Sequence, residues 1–477
     1  MKIASKDNPV RLGWLREQGL RMDAAPYLSG AFEARKLLER LPVHKDRLGE
    51  LTAGHDGGIF NGPKFSRVYV TDPDQAVPFL GSTDMMEADF TRLPLLSRSK
   101  VAAKFPYLEI APGMSLISCS GTVGRMAYVR RDMAGIWSSQ HVMKVQPNPG
   151  QVPSGYLNTF LRSRFGVPII ASQAYGAIIQ HIEPHHISGL PVPRFDSALE
   201  EEIHDLVEVA AMLRTEFQKG MVGATEDLFK TAGLEDLIDL RWHDQPRDVG
   251  FAQRGLSRTT LRALNYQPRA QRILERLRDE TECVTLGDVC KGGQLSRGLR
   301  FTRVDGAPDP AYSYQLVGQR QGFWLRPEGR WISKAKTSRE VLAKDETILI
   351  ASQGTLGENE VFCRPIFATG AWLSYAYSEH FLRIVSGNSD IPGAYLFAFL
   401  RSEAMFRVLR SMSTGGKQQD IHESLRAQIP VPVLTAPDRE RIAETIRAAY
   451  RKRDEADKKE DRALELLEQA VLAHSAG

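Results

Sequence analysis

The sequence predicts an α+β fold: two similar mixed α/β domains joined by long helices that pair as an antiparallel coiled coil about an approximate two-fold axis. Three observations predict it. The second half of the chain repeats blocks of the first, each half closes on a Pro-x-Pro segment, and a long amphipathic helix follows each of these segments. The 477 residues exceed one ordinary domain, and 42% hydrophobic with 25% charged residues is usual for a globular protein.

The internal repeat consists of collinear blocks in one order, as expected for a duplicated unit. At a shift of 239, residues 155–163, 180–182 and 190–193 match residues 394–402, 419–421 and 429–432. Upstream, residues 116–124 match residues 349–357 at a shift of 233, and the leading segments 37–41 and 273–277 also resemble each other. The change of shift predicts a loop that is six residues longer in the second half.

Each repeat has the local pattern of a mixed domain. Short β-branched runs at 115–118 and 347–351 are bounded by Gly and Pro, which predicts strands. The apolar spacing at 156–165 and 394–409 predicts helices. Proline is excluded from helix interiors, so the Pro-x-Pro segments at 191–193 and 430–432 mark the end of each globular module.

The helix after each module carries a coiled-coil seam of apolar and small residues, with charged residues on its other faces. The seam positions are Ile203, Leu206, Ala210, Leu213, Phe217, Gly220 and Ala224 in the first helix, and Ile442, Ile446, Ala449, Ala456, Ala463, Leu467 and Ala470 in the second. Two helices packed separately on their own modules would show the same pattern, but their duplicated position favours pairing. We therefore divide the chain into domain 1 (1–195), a central spacer helix (196–235), domain 2 with its leader (236–435) and a C-terminal spacer helix (436–477).

The net charge of +4 is unevenly distributed along the chain. Residues 1–195 have a net charge of +7 and residues 236–435 of +5, whereas the two spacer segments have −7 and −1. A basic domain suits a polyanion such as DNA, because cations that neutralise phosphates release counterions. Chance asymmetry on a solvated surface would give the same balance, so charge alone does not decide the partner.

Several function classes lack their signatures. Asp309-Pro310-Ala311-Tyr312 only approaches the box of an adenine methyltransferase, and residues 411–417 lack the glycine and hydroxyl pattern of a phosphate loop. His181, Glu183, His185 and His186 have no second cluster at ligand spacing, and four scattered cysteines form no zinc cage. We expect no catalytic residue, no resident metal and no cofactor. The first residues form no apolar signal core and no apolar run is long enough to span a membrane, so a cytoplasmic protein is expected.

Polar, glycine-rich loops remain, at matching places in both halves. Glycine lets a backbone approach a phosphate closely, and Ser, Thr, Asn, Gln, Lys and Arg bond base edges or phosphates. Tight turns in a β-rich core would explain the same glycines. The candidate DNA-contacting residues are Gly58, Asn61, Lys64, Thr122, Arg125, Tyr175, Gln294, Arg297, Thr355, Gly416, Lys417 and Gln418.

This arrangement resembles the specificity (S) subunit of type I restriction-modification systems. The likeness covers nearly the whole chain, through the Gly-Thr-x-Gly block, the Tyr-Leu…Leu-Arg-Ser helix, the loop before Gln-x-Ile and the Pro-Val-Pro exit, each present twice. The resemblance implies a non-catalytic subunit with two target-recognition domains that read a bipartite, asymmetric site in double-stranded DNA. It also implies partners: two DNA adenine methyltransferase subunits that bind S-adenosylmethionine and, in some systems, a restriction and motor subunit.

Two alternatives stay open at this level. One is a complete enzyme with its own methyltransferase or nuclease chemistry, and the other is a duplicated protein–protein adaptor. The Arg-rich leader of the second domain, residues 235–288, is unassigned: an added helix, a DNA-backbone contact or a partner contact would each fit its composition.

Overall fold

The computed structural model describes residues 10–17, 20, 22, 27, 30–175, 180–253, 255–256 and 259–475. The chain forms two compact units. Unit 1 comprises Met1–Thr215 and Glu455–Gly477, and unit 2 comprises Glu216–Asp454. Each unit therefore holds one module together with half of each long helix. The four-part division made from the sequence remains a prediction.

Unit 1 begins with short helices and continues as a β-rich module. Its α-helices are α1 (Leu12–Glu17), α2 (Ala31–Arg40), α3 (Arg98–Val101), α4 (Ser154–Arg162), α5 (Gly166–Ser172), α6 (Pro184–Ile187) and the first half of α7 (Ser197–Thr231). Its strands are β1 (Lys45–Arg47), β2 (Ile59–Phe60), β3 (Ala76–Leu80), β4 (Leu95–Ser97), β5 (Ser115–Ser118), β6 (Met126–Tyr128), β7 (Trp137–Ser138), β8 (Val142–Val145) and β9 (Pro191–Pro193).

Unit 2 has the same kind of content. Its α-helices are the end of α7, α8 (Pro268–Glu280), α9 (Leu286–Val289), α10 (Gly393–Leu400), α11 (Glu403–Ser411), α12 (Glu423–Ala427) and the first half of α13 (Ala436–Ser475). Its strands are β10 (Cys283–Thr285), β11 (Gln294–Arg297), β12 (Ser313–Val317), β13 (Arg330–Ser333), β14 (Thr347–Ala351), β15 (Pro365–Ala368), β16 (Ala376–Tyr377), β17 (Phe381–Val385), β18 (Ser413–Gly415), β19 (Gln419–Ile421) and β20 (Pro430–Pro432).

The four-stranded and three-stranded sheets of the two units correspond strand for strand, which confirms the predicted duplication. The order β2-β8-β5-β6 in unit 1 returns as β11-β17-β14-β15 in unit 2, with every neighbouring pair antiparallel. The mixed sheet β4-β3-β7 returns as β13-β12-β16. Each Pro-Val-Pro segment forms a short strand against the start of its module, β9 on β1 and β20 on β10. The module is thus closed where its first and last strands meet.

The six-residue length difference lies in one loop. In unit 1 this loop runs from the end of β5 to the start of β6 (residues 119–125), and its counterpart lies between β14 and β15 (residues 352–364). We call each the reading loop of its unit, after the role in DNA recognition that the resemblance implies. The first has seven residues and the second thirteen. Gly124 at φ +89° and Cys363 at φ +72° occupy the same place at the end of their loops, since their N–H groups donate to the carbonyls of Ser118 and Ala351.

The predicted helix over 394–409 is wrong in one respect, because it is two helices, α10 and α11, with a break at Arg401 and Ser402. The Ser402 hydroxyl caps α11 by accepting the N–H of Met405 at 3.1 Å. The predicted helix over 156–165 likewise ends at Arg162, where Ser163 accepts the N–H of Gly166 at 3.2 Å. The repeated Leu-Arg-Ser sequence therefore ends one helix and starts the next.

The long helices pair in antiparallel fashion within each unit, as predicted. In unit 1, Arg214 of α7 contacts Asp457 and Glu460 of α13, both at 2.9 Å. In unit 2, Lys452 pairs with Glu216 at 2.9 Å, and a Cβ placed on Gly220 would lie 2.9 Å from that of Ala449. The seam positions are buried or half-buried. The approximate two-fold axis remains a prediction.

Each module core includes its spacer helices. In unit 1 the core beneath the four-stranded sheet extends onto α7 and α13, through residues such as Ile203, Val207, Ala463 and Leu467. In unit 2, Tyr450 of α13 packs against the rings of Phe217, Phe367 and Phe397. No helix within the described ranges is long and apolar enough to cross a membrane.

The leader of unit 2 folds as part of that unit. Helix α8 packs against α11 and against β20. Before it, Trp242 stacks on the guanidinium of Arg269, with the Cζ atom 4.2 Å from the ring centroid, and Asp248 pairs with the same guanidinium at 3.3 Å. This segment, left open by the sequence, is an integral part of the second unit. Arg254, the first residue of its Arg-rich stretch, lies outside the described residues.

The equivalent strands β8 and β17 each bury one cationic side chain. The cation on β8 has no hydrogen-bond partner among the described residues, whereas the cation on β17 has three. Lys144 is 0% exposed, its Nζ finds no hydrogen-bond partner among the described residues, and it lies 5.3 Å from the ring centroid of Phe60. Burial lowers the pKa of Lys144 to about 7. Arg383, its counterpart, donates to the carbonyls of residues 340, 341 and 342 at 2.7–2.8 Å.

We predict that Lys144→Met stabilises the protein, by about 1–4 kcal/mol near neutral pH, because it removes an unpaired buried cation. The unfolded chain keeps this proton up to about pH 10.5, whereas the folded chain loses it above about 7. Wild-type stability should therefore rise with pH across that window, and the advantage of the variant should shrink there. Denaturant unfolding at pH 6, 7, 9 and 10 measures this.

Arg383→Met is the matched control, and it should destabilise by more than about 2 kcal/mol because three carbonyls lose their donor. A Lys144→Met variant that is less stable than wild type at pH 7, or whose effect is the same at every pH, would contradict the prediction.

Candidate nucleic-acid interface

In each unit the reading loop lies beside a hairpin, and the two are joined by backbone hydrogen bonds. In unit 1 the N–H of Gly121 donates to the carbonyl of Gln180 at 3.0 Å. In unit 2 Gly354 and Gln419 exchange both backbone bonds, at 2.8 and 3.3 Å. The hairpin of unit 2 is β18–β19, and that of unit 1 is closed by the bridge between Tyr175 and His181. Its tip, residues 176–179, lies outside the described residues.

The structure brings the unit 1 candidates Asn61 and Tyr175 together on one carboxylate. Asn61 Nδ2 donates to Glu183 Oε2 at 3.3 Å, and the Tyr175 hydroxyl donates to Glu183 Oε1 at 3.2 Å. Tyr175 is exposed, while its ring contacts those of His181 and His186. Burial and the neighbouring Glu183 raise the pKa of the Tyr175 hydroxyl. Glu183 thus orients two polar groups at the edge of the hairpin.

Cations also lie near Gln140 and His141, the residues that bond the start of the same reading loop. Arg67 donates to the Gln140 side chain at 3.0 Å, and Gln140 bonds the ring of His141 at 3.1 Å. Burial, followed by the charges of Arg67, His181 and Lys64, lowers the pKa of His141. Lys64 is exposed. These groups form a positive surface in which a bound anion would relieve mutual repulsion.

Sequence reasoning missed Arg67, Gln140 and His141. A signal was available: Ser139-Gln140-His141 matches residues 378–380, Ser-Glu-His, at the shift of 239 found elsewhere. In both units this segment bonds the start of the reading loop, since the N–H of Cys119 donates to the His141 carbonyl and that of Ser352 to the His380 carbonyl.

The reading loop of unit 1 is held by a buried serine of β5. Ser118 Oγ donates to the carbonyl of Thr122 at 2.5 Å and accepts the N–H of Arg125 at 2.9 Å. Thr122 is exposed and Arg125 half-buried. Gly58 is buried at φ +88°, where a Cβ would lie 2.6 Å from the Ala53 nitrogen, so this glycine shapes a turn. The contact of these residues with DNA remains a prediction.

In unit 2 an ion pair joins strand β11 to the hairpin. Arg297 Nη1 lies 3.1 Å from Asp420 Oδ2, and Asp420 Oδ1 accepts the N–H of Ile421 at 2.8 Å. The carboxylate is fixed, so the guanidinium has a defined direction while 42% of its side chain is exposed. Gln294, on the same strand, donates to Ser296 Oγ at 3.2 Å. The buried Arg426 donates hydrogen bonds to the carbonyls of both Leu295 and Ile421, so it also joins β11 to the hairpin.

The hairpin tip of unit 2 presents Gly416, Lys417 and Gln418 to solvent. The leader supports this hairpin, because Asn265 Nδ2 donates to the carbonyls of Ser411 and Ser413 and Arg262 donates to that of Gly415 at 2.6 Å. In the sequence this segment faintly resembles a phosphate loop. It lies after a helix and inside a hairpin, whereas a phosphate loop lies between a strand and a following helix.

Thr355 is exposed within the longer reading loop of unit 2. Gln353, two residues before it, is held by Gln319, whose side-chain amide donates to the Gln353 carbonyl at 2.8 Å and accepts its N–H at 3.1 Å. The candidates Gln294, Arg297, Thr355 and Lys417 therefore all lie on segments that bond one another, which the sequence could not show.

The remaining sequence features stay outside this region. Asp309 bonds the N–H of Ala311 at 2.8 Å, as in an ordinary turn. Among the described residues one grouping has metal-ligand geometry, Glu201, His204 and Asp205 on α7, and it does not include the histidines singled out in the sequence. His204 already accepts the N–H of Gly155 at 3.0 Å, and nothing else points to an ion there.

No family model matches this chain, and none of the curated proteins compared with it does so either. The solved structures that are similar to it include the following three. The S subunit of a type I restriction-modification system from M. genitalium is 12% identical over 91% of this chain and 96% of its own, with a TM-score of 0.36. The HsdS subunit from Thermoanaerobacter tengcongensis is 14% identical over 91% and 97%, with a TM-score of 0.26.

A chain from a structure concerned with complex assembly and conformational transition of the type I R-M system is 14% identical over 91% and 98%, with a TM-score of 0.24. These are proteins of the kind that the repeated blocks resemble. Since all three TM-scores are below 0.5, the function proposed below rests on the repeated loops and not on these likenesses.

We predict that Ser118→Ala frees the reading loop of unit 1, because the loop loses both side-chain bonds that close it. The local cost is about 1–3 kcal/mol. Hydrogen exchange of the amides at 121–125 measures the effect, and it should become faster. Ser138→Ala is the control: it removes a buried hydroxyl bonded to the Leu108 carbonyl at 3.3 Å and should leave those amides unchanged. Equal exchange in the Ser118→Ala variant and wild type would contradict the prediction.

Proposed function

We propose that this chain is a non-catalytic specificity subunit of a type I restriction-modification system. In this proposal each unit reads one half of a bipartite, asymmetric site in double-stranded DNA. The chain docks two adenine methyltransferase subunits, which bind S-adenosylmethionine, onto that site, together with a restriction subunit where the system has one. The observation that carries the proposal is the same pair of bonded polar loops, built twice in one chain on matching sheets.

The side chains on and beside these loops have the chemistry of nucleic-acid recognition. Lys64 and Arg67 in unit 1, and Arg297 and Lys417 in unit 2, supply charge for phosphates and donors for base edges. Asn61 and Tyr175, oriented by Glu183, add directed hydrogen bonds. A pure protein adaptor has no need of cations near the glycine-rich loops of both units.

The two halves of the site should differ, because the matched loops differ. At the shift of 239, the hairpin sequence Gly-Ala-Ile-Ile at 176–179 corresponds to Gly-Gly-Lys-Gln at 415–418. Apolar side chains suit a thymine methyl group, and Lys or Gln suit purine edges or phosphates. The longer reading loop of unit 2 adds a further difference. One chain therefore supplies two unlike readers.

The long helices fit the spacer role in this proposal. The 35 residues of α7, at about 1.5 Å each, extend about 50 Å, which exceeds one turn of DNA at about 34 Å. Two half-site contacts joined by such helices bind with a high effective local concentration, so each contact can be weak by itself.

The decisive experiment is a map of methylated adenines across the native genome, with this gene intact and with it deleted. We expect one split, asymmetric motif with a fixed gap to lose its methylation. An unchanged set of methylated motifs would contradict the proposal. Binding of S-adenosylmethionine by the purified chain alone would favour a complete enzyme, and failure of the reconstituted complex to bind DNA would favour an adaptor.

We predict that Arg297→Ala relaxes one base position in the half-site of unit 2, at a cost of about 1–3 kcal/mol. Asp420→Asn should have a smaller effect at the same position, because it keeps the shape of the side chain and removes only the charge that directs the guanidinium. Methylome maps of cells carrying each variant measure this. Changes spread over both half-sites would contradict a local role for Arg297.

We predict that Lys417→Ala weakens DNA binding on all sequences alike and reduces the slope of log K against log salt concentration by about 1. The exposed Lys458 of α13, beside Glu455 at 3.8 Å, gives the matched control. Lys458→Ala should leave the slope unchanged. Titrations of the reconstituted complex at four salt concentrations measure both, and equal slopes for Lys417→Ala and wild type would rule out the phosphate contact.

A further inference from the structure

We propose that Arg410 is a positioning residue for the reading loop of unit 2, and that through this loop it sets the stringency of one half-site only. This inference rests on the proposed function. Arg410 lies on α11, outside the loop and outside the hairpin, and no motif in the sequence marks it. It acts through backbone carbonyls, which makes its role independent of the side chains that the loop displays.

Arg410 binds the backbone of this longer loop through both ends of its guanidinium. Its two terminal nitrogens donate to the carbonyls of Leu356 and Gly357, the latter at 3.2 Å. The side chain is 7% exposed, and its Cζ atom lies 4.8 Å from the ring centroid of Phe406. A guanidinium that is buried, stacked and bonded to two successive carbonyls has little freedom, so it can fix a segment of backbone.

The neighbouring helix turn reinforces this contact. Arg407, also 7% exposed, pairs with Glu358 at 2.9 Å and with Glu403 at 2.7 Å. Its guanidinium lies 5.2 Å from the ring centroid of Trp242, in the leader. Residues 356–358 are therefore held at three successive positions by two arginines of one helix. Burial lowers the pKa of Arg410 below its ordinary range, and nearby Glu358 and Glu403 favour its charged form.

In unit 1 the reading loop is held in place by a different residue. This loop is six residues shorter, and Ala171 stands at the position equivalent to Arg410, with its Cβ 3.6 Å from a Cβ placed on Gly124. That loop is closed by Ser118, whereas unit 2 has Ala351 at the equivalent place, without a hydroxyl. The extension and its arginine occur together in unit 2 and are both missing in unit 1, which is why Arg410 should affect one half-site alone.

The carbonyls of residues 356 and 357 point toward Arg410 of α11, and other parts of the loop are exposed to solvent. Thr355, Gly357 and residues 358–360 are exposed, and Gly354 is bonded to the hairpin that carries Lys417. A loop that moved freely at this place would present Thr355 in many positions and would discriminate poorly among bases. A fixed one reads a defined position.

Arg410→Met tests the proposal, since methionine keeps much of the packing on Phe406 and removes the donors. Amide exchange at 353–358 in the full chain, without DNA, should become at least about tenfold faster. In cells, the methylated motif should become degenerate in one half and stay unchanged in the other. Arg410→Lys, which retains one charged donor, should restore part of both effects.

Arg401→Met is the matched control, because Arg401 is 8% exposed and also donates to a carbonyl, that of Met221 at 2.8 Å. It should lower stability without speeding exchange at 353–358. Unchanged exchange in Arg410→Met would overturn the positioning role, and faster exchange with an unchanged motif would overturn the link to stringency. Absence of any motif that depends on the wild-type gene would instead overturn the proposed function, while the exchange result would still stand.

Discussion

The backbone hydrogen bonds between the reading loop and the hairpin, Gly121 with Gln180 and Gly354 with Gln419, are the constraint on which the rest of each unit depends. These bonds join backbone atoms only. A side chain at Gly354 would be crowded, because its Cβ would lie 3.0 Å from the Cβ of Phe362. The sheet that precedes the loop and the helices that precede the hairpin serve to bring these two backbone segments together. Side chains on both segments can then differ widely between the units without altering the frame.

This frame explains which predictions could be made from sequence. Buried strands such as β5 and β14, and the seams of α7 and α13, follow from apolar patterns that any core demands, so they could be predicted locally. The break between α10 and α11 could not, because the cap at Ser402 competes with a continuous helix on nearly equal terms. The duplication could be predicted because equivalent cores tolerate few residue types, while exposed loops between them drifted apart.

The sequence could predict which types of residue form the candidate site, but not which of these residues contact each other. Glycine-rich loops with Lys417, Arg297 and Thr355 stood out, since such compositions are unusual in a core. That Asp420 directs Arg297, or that Glu183 joins Asn61 to Tyr175, depends on contacts between residues more than 100 positions apart. Arg67 and Arg410 were missed for the same reason: an arginine in a helix or an extended segment carries no local sign of what its guanidinium reaches.

The division of the long helices between the units has a consequence for synthesis on the ribosome. Unit 2 is one continuous stretch, Glu216–Asp454, whereas unit 1 needs Glu455–Gly477 from the far end of the chain. The apolar residues Ala463, Leu467 and Val471 complete the unit 1 core, so the first module to leave the ribosome is the last to close. Until then the part of this core that Ala463, Leu467 and Val471 cover stays open to chaperones and to other nascent chains. A premature stop at a codon between 458 and 462 would therefore damage the domain made first and spare the one made second.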